Sequence, residues 1–383
     1  MKIGFDAKRA FQNKTGLGNY ARSLITSLAG QYPQHQYNLY TPKLPNFFDT
    51  TIFKNVAIKG PQKSFDKQFT GWWRRSSMVK DIEADGINIF HGVSNELPWG
   101  IDKTATKTVI TVHDLIFERY PGTYHFDERY THRWKMKQSC KIADAVIATS
   151  QQTKEDLINF YKIPAEKIFV CYQNCNPVFE KKVSEVEKAI VKKRYHLPDQ
   201  YFLFVSSITK RKNLITVCKG LQALKNKMDI PLLVIGDGKK EKAVVKLFLQ
   251  KNGLEKQVIF LNELPVSKED GFVKSTDFPA IYQQALALVY PSYFEGFGIP
   301  LLEALWSGLP VIASNTSSLP EVGGDAALYF SPNDSEMLAG ILLQLSSDEA
   351  LAENLKIKGL KQASRFTPQK HAKEVMDIYL SIV

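Results

Sequence analysis

Short β-branched runs alternate with longer stretches of helical spacing along most of the chain. KIGFD precedes NYARSLITSLAG, INIFHG precedes KTVITVHDL, ADAVIATS precedes QQTKEDLINFY, and IFVCYQ closes the series. Apolar runs too short for helices, each followed by a segment with apolar residues every third or fourth position, predict a parallel sheet flanked by helices. After Asn176-Pro177 the pattern gives way to EKKVSEVEKAIVKKRYHLPDQ, which reads as a charged linker and surface helix. It then restarts with YFLFVSSI, LITVCKGLQALK, PLLVIGDG, QVIFLNEL, ALALVYPS, LPVIAS and AALYF. The expected organisation is an α/β lobe over 1–180, a linker over 181–200, a second α/β lobe over 201–365 and a last helix over 366–383. Thr367 as N-cap and Pro368 at the first helical position mark the start of that helix.

One stretch departs from the plain pattern. FEGFGIPLLEALWSGLPVIAS, from Phe294, sets glycines, prolines and the carboxylates Glu295 and Glu303 in an apolar passage. ALALVYPS predicts a buried strand, and Pro300 with Gly308 frames a helix, so the local order is strand, glycine loop, helix. Gly296 and Gly298 let backbone approach a ligand closely, and the helix start offers N–H groups to an anion. Glu295 falls on the loop and Glu303 in the first helical turn, directed at different parts of one elongated ligand. Carboxylates accept hydrogen bonds from hydroxyls such as those of a sugar and a ribose. A second constellation, ITKRKNLITV after YFLFVSSI, puts Arg211 and Lys212 at a strand's carboxyl end, where open α/β sheets bind ligands and two cations can neutralise a diphosphate. Taken singly, a glycine loop is common in any α/β lobe, and RKN alone reads better as a solvated basic turn; the two loops in one lobe together favour a phosphate site.

Length and charge narrow the classes. With 383 residues the chain has room for two cores, and its net charge of +11 attracts anions: phosphates, nucleic acid or an anionic membrane. The four cysteines form no paired CxxC spacing and suit a reducing cytoplasm. No apolar run is long enough to cross a bilayer, and MKIGFDAKRAF turns polar too early for a secretory signal.

Together these residues resemble the retaining GT-B glycosyltransferases of family GT4. EGFGIPLLE matches that family's E-x7-E motif, LPVIASNTSSLPEV its usual sequel, and SSITKRKNL is similar to its phosphate-binding turn. TGLGNYARSL, INIFHG and TVHDLIF resemble the family's glycine loop, His-bearing strand end and HDL segment; Ser206 replaces a usual glycine and NCNP a usual NGV. The resemblance implies two facing Rossmann-like domains with a cleft whose closure assembles the site, acceptor bound by the first, donor by the second, and the last helix crossing back to the first. It implies Glu295 on donor-sugar hydroxyls, Glu303 on ribose hydroxyls, and Arg211 with Lys212 on the pyrophosphate. Backbone of Gly296, Phe297 and Gly298, and the amides of Leu301 and Leu302, would add contacts. Gly16 and Gly18 would approach the phosphates, Gly236 and Gly238 the base, and His113 the transferred sugar. The HDL and RKNL segments look most like bacterial polysaccharide mannosyltransferases, which favours GDP-mannose over a UDP-sugar.

No DxD stands at a strand end, so metal-independent transfer without any cofactor is the simpler expectation, with Arg211 and Lys212 in the electrostatic role a metal plays elsewhere. Paired carboxylates also suit a double-displacement glycosidase, and a GT-B epimerase or phosphorylase shares the expected fold. A nucleic-acid binder would explain the charge but not the glutamates; no nucleic-acid partner is expected. Dinucleotide oxidoreduction lacks its GxGxxG after the first strand. For the acceptor, FDKQFTGWWRRSSMVKDIEADG gathers Lys67, Trp72, Trp73, Arg74 and Arg75, suited to a lipid-linked pyrophosphate or to peripheral contact with an anionic membrane on its cytoplasmic face. The alternative is one packed tryptophan beside solvated arginines. ERYPGTYHFDERYTHRWKMK reads either as acceptor-cleft lining or as a surface helix.

Overall fold

Residues 1–43 and 48–383 are described in the computed structural model of the protein. They form two compact units, Met1–Cys175 with Phe366–Val383, and Asn176–Arg365. The first contains β1 (Lys2–Asp6), β2 (Gln36–Tyr40), β3 (Val56–Lys59), β4 (Ile89–Gly92), β5 (Lys107–Val112), β6 (Ala145–Ala148) and β7 (Ile168–Val170). All pair in parallel, in the order β3-β2-β1-β4-β5-β6-β7. Helices cover both faces, so inner strands such as β4, β5 and β6 are buried on both sides, while the edge strand β3 is not. Ala145 and Ile147 of β6 join one core, with Ile3 and Phe5 of β1, while Val146 and Ala148 join the opposite core with Phe90 and Ile110. This two-sided burial is why AVIA reads as a continuous apolar run instead of an alternation.

The helix Pro368–Ile382 belongs to the first unit. Thr367 caps it, its side chain accepting from Lys370 N–H, and Ala372, Val375, Met376 and Tyr379 enter the core that holds β1 and the helix Gly16–Gln31. A buried polar chain pins it further. Tyr379 Oη meets His91 Nδ1 at 2.5 Å, His91 Nε2 meets Thr111 Oγ1 at 2.8 Å, and Thr111 meets Tyr20 Oη at 3.0 Å. Burial, with His371 and His113 nearby, pushes His91 down to about 3, so the ring stays neutral and can bond through both nitrogens.

The second unit contains β8 (Phe202–Val205), β9 (Leu232–Ile235), β10 (Val258–Phe260), β11 (Ala287–Tyr290), β12 (Val311–Ser314) and β13 (Ala327–Phe330), again all parallel, in the order β10-β9-β8-β11-β12-β13. In both sheets the connection reverses direction beside the first strand, β1/β4 and β8/β11, giving the Rossmann switch points where ligands of such sheets bind. The stretch 181–200 holds the expected surface helix, and it packs within the second unit. Ser184 and Glu187 form a capping box for the helix Glu185–Tyr195, whose Val191 and Tyr195 are buried in the second unit. Val183 N–H donates to Gln283 Oε1 at 3.0 Å, and Gln284 Nε2 to the Lys188 carbonyl at 3.2 Å.

Met376 is 1% exposed. Met376→Ala is expected to destabilise the first unit by about 2–5 kcal/mol, seen in denaturant titration as an earlier transition for that unit alone. An unchanged titration would show that the helix adds little to this core.

Candidate active site

The second unit's site grows from the loops after β8 and β11. After β8 the chain runs through Ser206–Thr209 into a 3₁₀ turn, Lys210–Lys212, and Asn213 takes the left-handed conformation, φ 58°, before the helix Leu214–Ala223. Asn213 Nδ2 donates to the carbonyls of Pro291, 3.0 Å, and Pro332, 2.7 Å, clamping this turn to the loop after β11. Tyr293 N–H donates to the Arg211 carbonyl at 2.9 Å, reinforcing the clamp.

Arg211, Lys212 and Glu295 are brought together by that clamp. Lys212 Nζ lies 2.5 Å from Glu295 Oε1 and 3.1 Å from Tyr290 Oη; Arg211 Nη1 lies 3.1 Å from the same Oε1 and donates to the Phe294 carbonyl at 2.6 Å. Burial raises the Glu295 pKa, but the Lys212 and Arg211 cations outweigh it and hold the carboxyl below its usual range. The triad therefore carries two cations against one carboxylate.

Glu295 is also fixed through its backbone: its N–H donates to Ser317 Oγ at 2.9 Å, and Ser318 Oγ donates to the carbonyls of Glu295 and Phe297 at 3.0 and 2.8 Å. Gly298 caps the next helix, Ile299–Trp306, at φ 115°, and a Cβ there would stand 2.8 Å from Leu319 Cδ2. Only glycine meets both conditions without strain. Glu303 is the fifth helical residue, in the second turn instead of the first. Its half-buried carboxylate accepts from Tyr282 Oη at 3.0 Å, and burial, opposed by that bond, pushes its pKa up to about 7.

The amides of Leu301 and Leu302, expected to reach a ligand, both donate to the Gly298 carbonyl, at 3.0 and 3.2 Å. The capping residue's carbonyl accepts the first bonds of the helix, so these two donors are already engaged. The side chains of Phe297, Leu301 and Leu302 are buried. Gly236 and Gly238 lie on the loop after β9, packed on the neighbouring strand-end loop: a Cβ would come within 1.8 Å of the Ser206 carbonyl oxygen or 2.1 Å of that of Ile208.

In the first unit, Gly16 opens the helix Gly16–Gln31 with open space around it, whereas a Cβ on Gly18 would stand 1.8 Å from the Asn13 carbonyl oxygen. His113 follows β5 and is 6% exposed, with Tyr20 edge-on at 4.6 Å between ring centres. Its Nε2 lies 3.0 Å from the Val93 carbonyl, which can only accept, so that nitrogen carries the proton and Nδ1 is the acceptor. Burial pushes His113 down to about 4, opposed by that bond.

At the carboxyl ends of β1 and β4 lies a pocket of about 200 Å³ lined by Lys8, Arg9, Arg74, Arg75, Glu96 and Lys135 among others. Arg74 bridges Asp6 (2.6 Å) and Glu96 (2.8 Å). Burial, then the charges of Arg74 and Arg9, hold Lys8 below its usual value. The tryptophan-arginine run is thereby divided. Trp73 is wholly buried, donating to Asp81 at 2.7 Å, and Arg74 turns inward, while Trp72 is half exposed and Arg75 exposed. Among the described residues no group of three or more His, Cys, Asp or Glu could hold a metal ion, and no helix is long and apolar enough to cross a membrane.

Residues 14–173 match Glycosyltransferase Family 4 and residues 186–362 match Glycosyl transferases group 1. O-antigen chain mannosyltransferase B of Escherichia coli is 30% identical over 99% of this chain and 99% of its own length. The chain belongs to the family 4 glycosyltransferases. Serotype-specific mannosyltransferase WbdA of Escherichia coli is 28% identical over 72% of this glycosyltransferase, which spans 34% of WbdA. Sucrose-phosphate synthase from Thermosynechococcus elongatus superposes with a TM-score of 0.75 at 20% identity, over 100% of this chain and 99% of that one. The fold of the glycosyltransferase is thus GT-B.

Sequence reasoning missed Asn213, Tyr282, Ser317, Ser318 and the pocket residues Lys8, Arg9, Glu96 and Lys135. Asn213 and the serines stand in quoted motifs, so their spacing was visible; Tyr282 has no local signal linking it to Glu303.

The unfolded Glu303 carboxyl titrates near 4.5 and the folded one at about 7. The stability this proton contributes is complete below 4.5 and lost as pH rises through about 7. Glu303→Gln, which cannot ionise, should gain in melting temperature relative to wild type as pH climbs through that window. A difference independent of pH would contradict the raised pKa.

Proposed function

We propose that this glycosyltransferase moves mannose from GDP-mannose to a saccharide or lipid-linked saccharide acceptor in polysaccharide synthesis, with retention at the anomeric carbon. The observation that carries the reading is the Arg211–Lys212–Glu295 triad at the β8/β11 switch point. The names of the mannosyltransferase relatives support mannose, and through it GDP as the carrier.

In this reading the donor diphosphate is held by Arg211 and Lys212, which stabilise charge as the bond from the anomeric carbon to phosphate breaks. The acceptor hydroxyl attacks from the same face and its proton passes to the departing phosphate oxygen. Glu295 is a poor nucleophile for a covalent intermediate, because one of its oxygens already meets two cations. It positions the cations and offers its second oxygen to donor-sugar hydroxyls. Glu303 accepts from the ribose hydroxyls, backbone at Gly296, Phe297 and Gly298 lies along the donor, and Gly236 with Gly238 flank the base. His113 offers Nδ1 to a hydroxyl of the transferred sugar. The cationic pair supplies the charge a divalent ion would otherwise bring, so turnover is proposed to need neither metal nor cofactor. The four cysteines are buried and form no CxxC spacing, which suits a cytoplasmic enzyme.

Release of GDP from GDP-mannose, in EDTA and with a mannan-type oligosaccharide acceptor, tests the proposal, the product anomer being read by NMR. Lys212→Ala should lower kcat by roughly a hundredfold or more. A hundredfold excess of GDP over Kd should stabilise the wild type by about 2.7 kcal/mol, and Glu303→Ala should lose most of that gain. Stabilisation by UDP but not GDP would reassign the base; an inverted product or dependence on magnesium would overturn the mechanism.

A further inference from the structure

The first unit carries a ridge of exposed aromatic rings that the transfer chemistry does not use. On the helix Phe126–Ile142, Phe126, Tyr130 and Trp134 recur every fourth residue and are 82%, 64% and 44% exposed. Trp134 meets Trp99 edge-on, ring centres 6.0 Å apart, and Trp99 meets Trp72 in the same way at 6.4 Å. Both tryptophans are about half exposed, and from Trp72 the ridge continues to Phe69 and Phe65, 48% and 59% exposed, whose rings lie 4.7 Å apart. Seven large rings in water are far outside what a scatter of single exposed hydrophobics would give.

Cations accompany the rings. Lys63, Lys67 and Arg75 are exposed beside Phe65, Phe69 and Trp72, and Lys137 follows Trp134 by one helical turn. None of these four joins an ion pair among the described residues, whereas Arg129 and Arg133 of the same helix are tied to Glu118. A π-helical turn, Trp73–Ser77, produces this sorting: it buries Trp73 and sends Arg74 inward to Asp6 and Glu96, leaving Trp72 and Arg75 outward.

We propose that this ridge docks the protein on a lipid bilayer with anionic headgroups. Amphipathic rings settle at the headgroup level, and unpaired lysine and arginine side chains meet the phosphates around them. Two features favour a bilayer over a glycan. The tryptophans meet edge to face, at interplanar angles of 87° and 82°, so they offer no single flat platform for a sugar ring. The rings are also spread over three helices and the loop that carries Trp99, a broader surface than one saccharide covers. A second copy of the chain is disfavoured, because a self-complementary contact would bring these unpaired cations against their own copies.

The test is flotation of the full-length protein with vesicles of phosphatidylethanolamine and phosphatidylglycerol, compared with neutral phosphatidylcholine vesicles; it needs no donor, acceptor or turnover. Wild type should float with the anionic vesicles, less so at high salt, with a blue shift of tryptophan emission. The exposed-ring variant Phe126→Ser/Tyr130→Ser/Trp134→Ser should lose partitioning by roughly tenfold or more, as should Lys63→Ala/Lys67→Ala/Arg75→Ala. Unchanged melting temperatures identify these as folded variants, and the charge variant provides a separate reading if the ring variant fails to fold. Absence of wild-type flotation, or equal flotation of both folded variants, would overturn the proposal. So would a ring variant that floats normally but no longer transfers sugar to a soluble oligosaccharide, which would assign the ridge to the acceptor.

Discussion

One carboxylate oxygen shared by two cations organises the second unit's site. Glu295 Oε1 stands 2.5 Å from Lys212 and 3.1 Å from Arg211, all three side chains largely buried. Cations in such a place are tolerated only when paired, so the contact fixes the loop after β11 against the turn after β8. Asn213 makes the same connection through neutral hydrogen bonds to Pro291 and Pro332. The strands that carry these loops are neighbours at the point where chain order reverses, and the site inherits its position from that topology. Because the cations outnumber the carboxylate, the triad keeps a net positive charge.

Glu303 works by the opposite device. Among the described residues no salt bridge holds it; the Tyr282 hydroxyl donates to it, and burial drives its pKa up to about 7. Two glutamates of one motif are thereby set apart, Glu295 held ionised and Glu303 poised between its two forms near neutral pH. Their surroundings, not their spacing, make the difference. In the first unit the same economy of charge appears around Arg74, which answers both Asp6 and Glu96, while the neutral imidazole of His91 joins the last helix to the sheet without a buried charge.

Much of the fold was legible because strands buried on both faces leave unbroken apolar runs, as in AVIA, LLVI and ALVY. The glycine loop and the RKN turn were legible for a similar reason: each sits immediately after such a run. The helix over Glu185–Tyr195 was harder to place, since its surface is charged and of its side chains only Val191 and Tyr195 are buried. The engagement of the Leu301 and Leu302 amides was not legible, because counting helix-start donors overlooks the bonds that the capping residue's own carbonyl accepts. Trp73 and Arg74 were read with their neighbours because a π-helical turn changes which side chains face inward, and the run of letters does not show it. Tyr282 and Ser318 act through hydroxyls that only the folded chain brings to the glutamates.

The most direct test of the donor-site account is a crystal structure with a bound nucleoside diphosphate sugar. The account predicts phosphate oxygens within hydrogen-bonding reach of Arg211 and Lys212, with the ribose hydroxyls on Glu303. A nucleotide bound elsewhere, with the Arg211–Lys212–Glu295 contacts undisturbed and no phosphate near them, would contradict it.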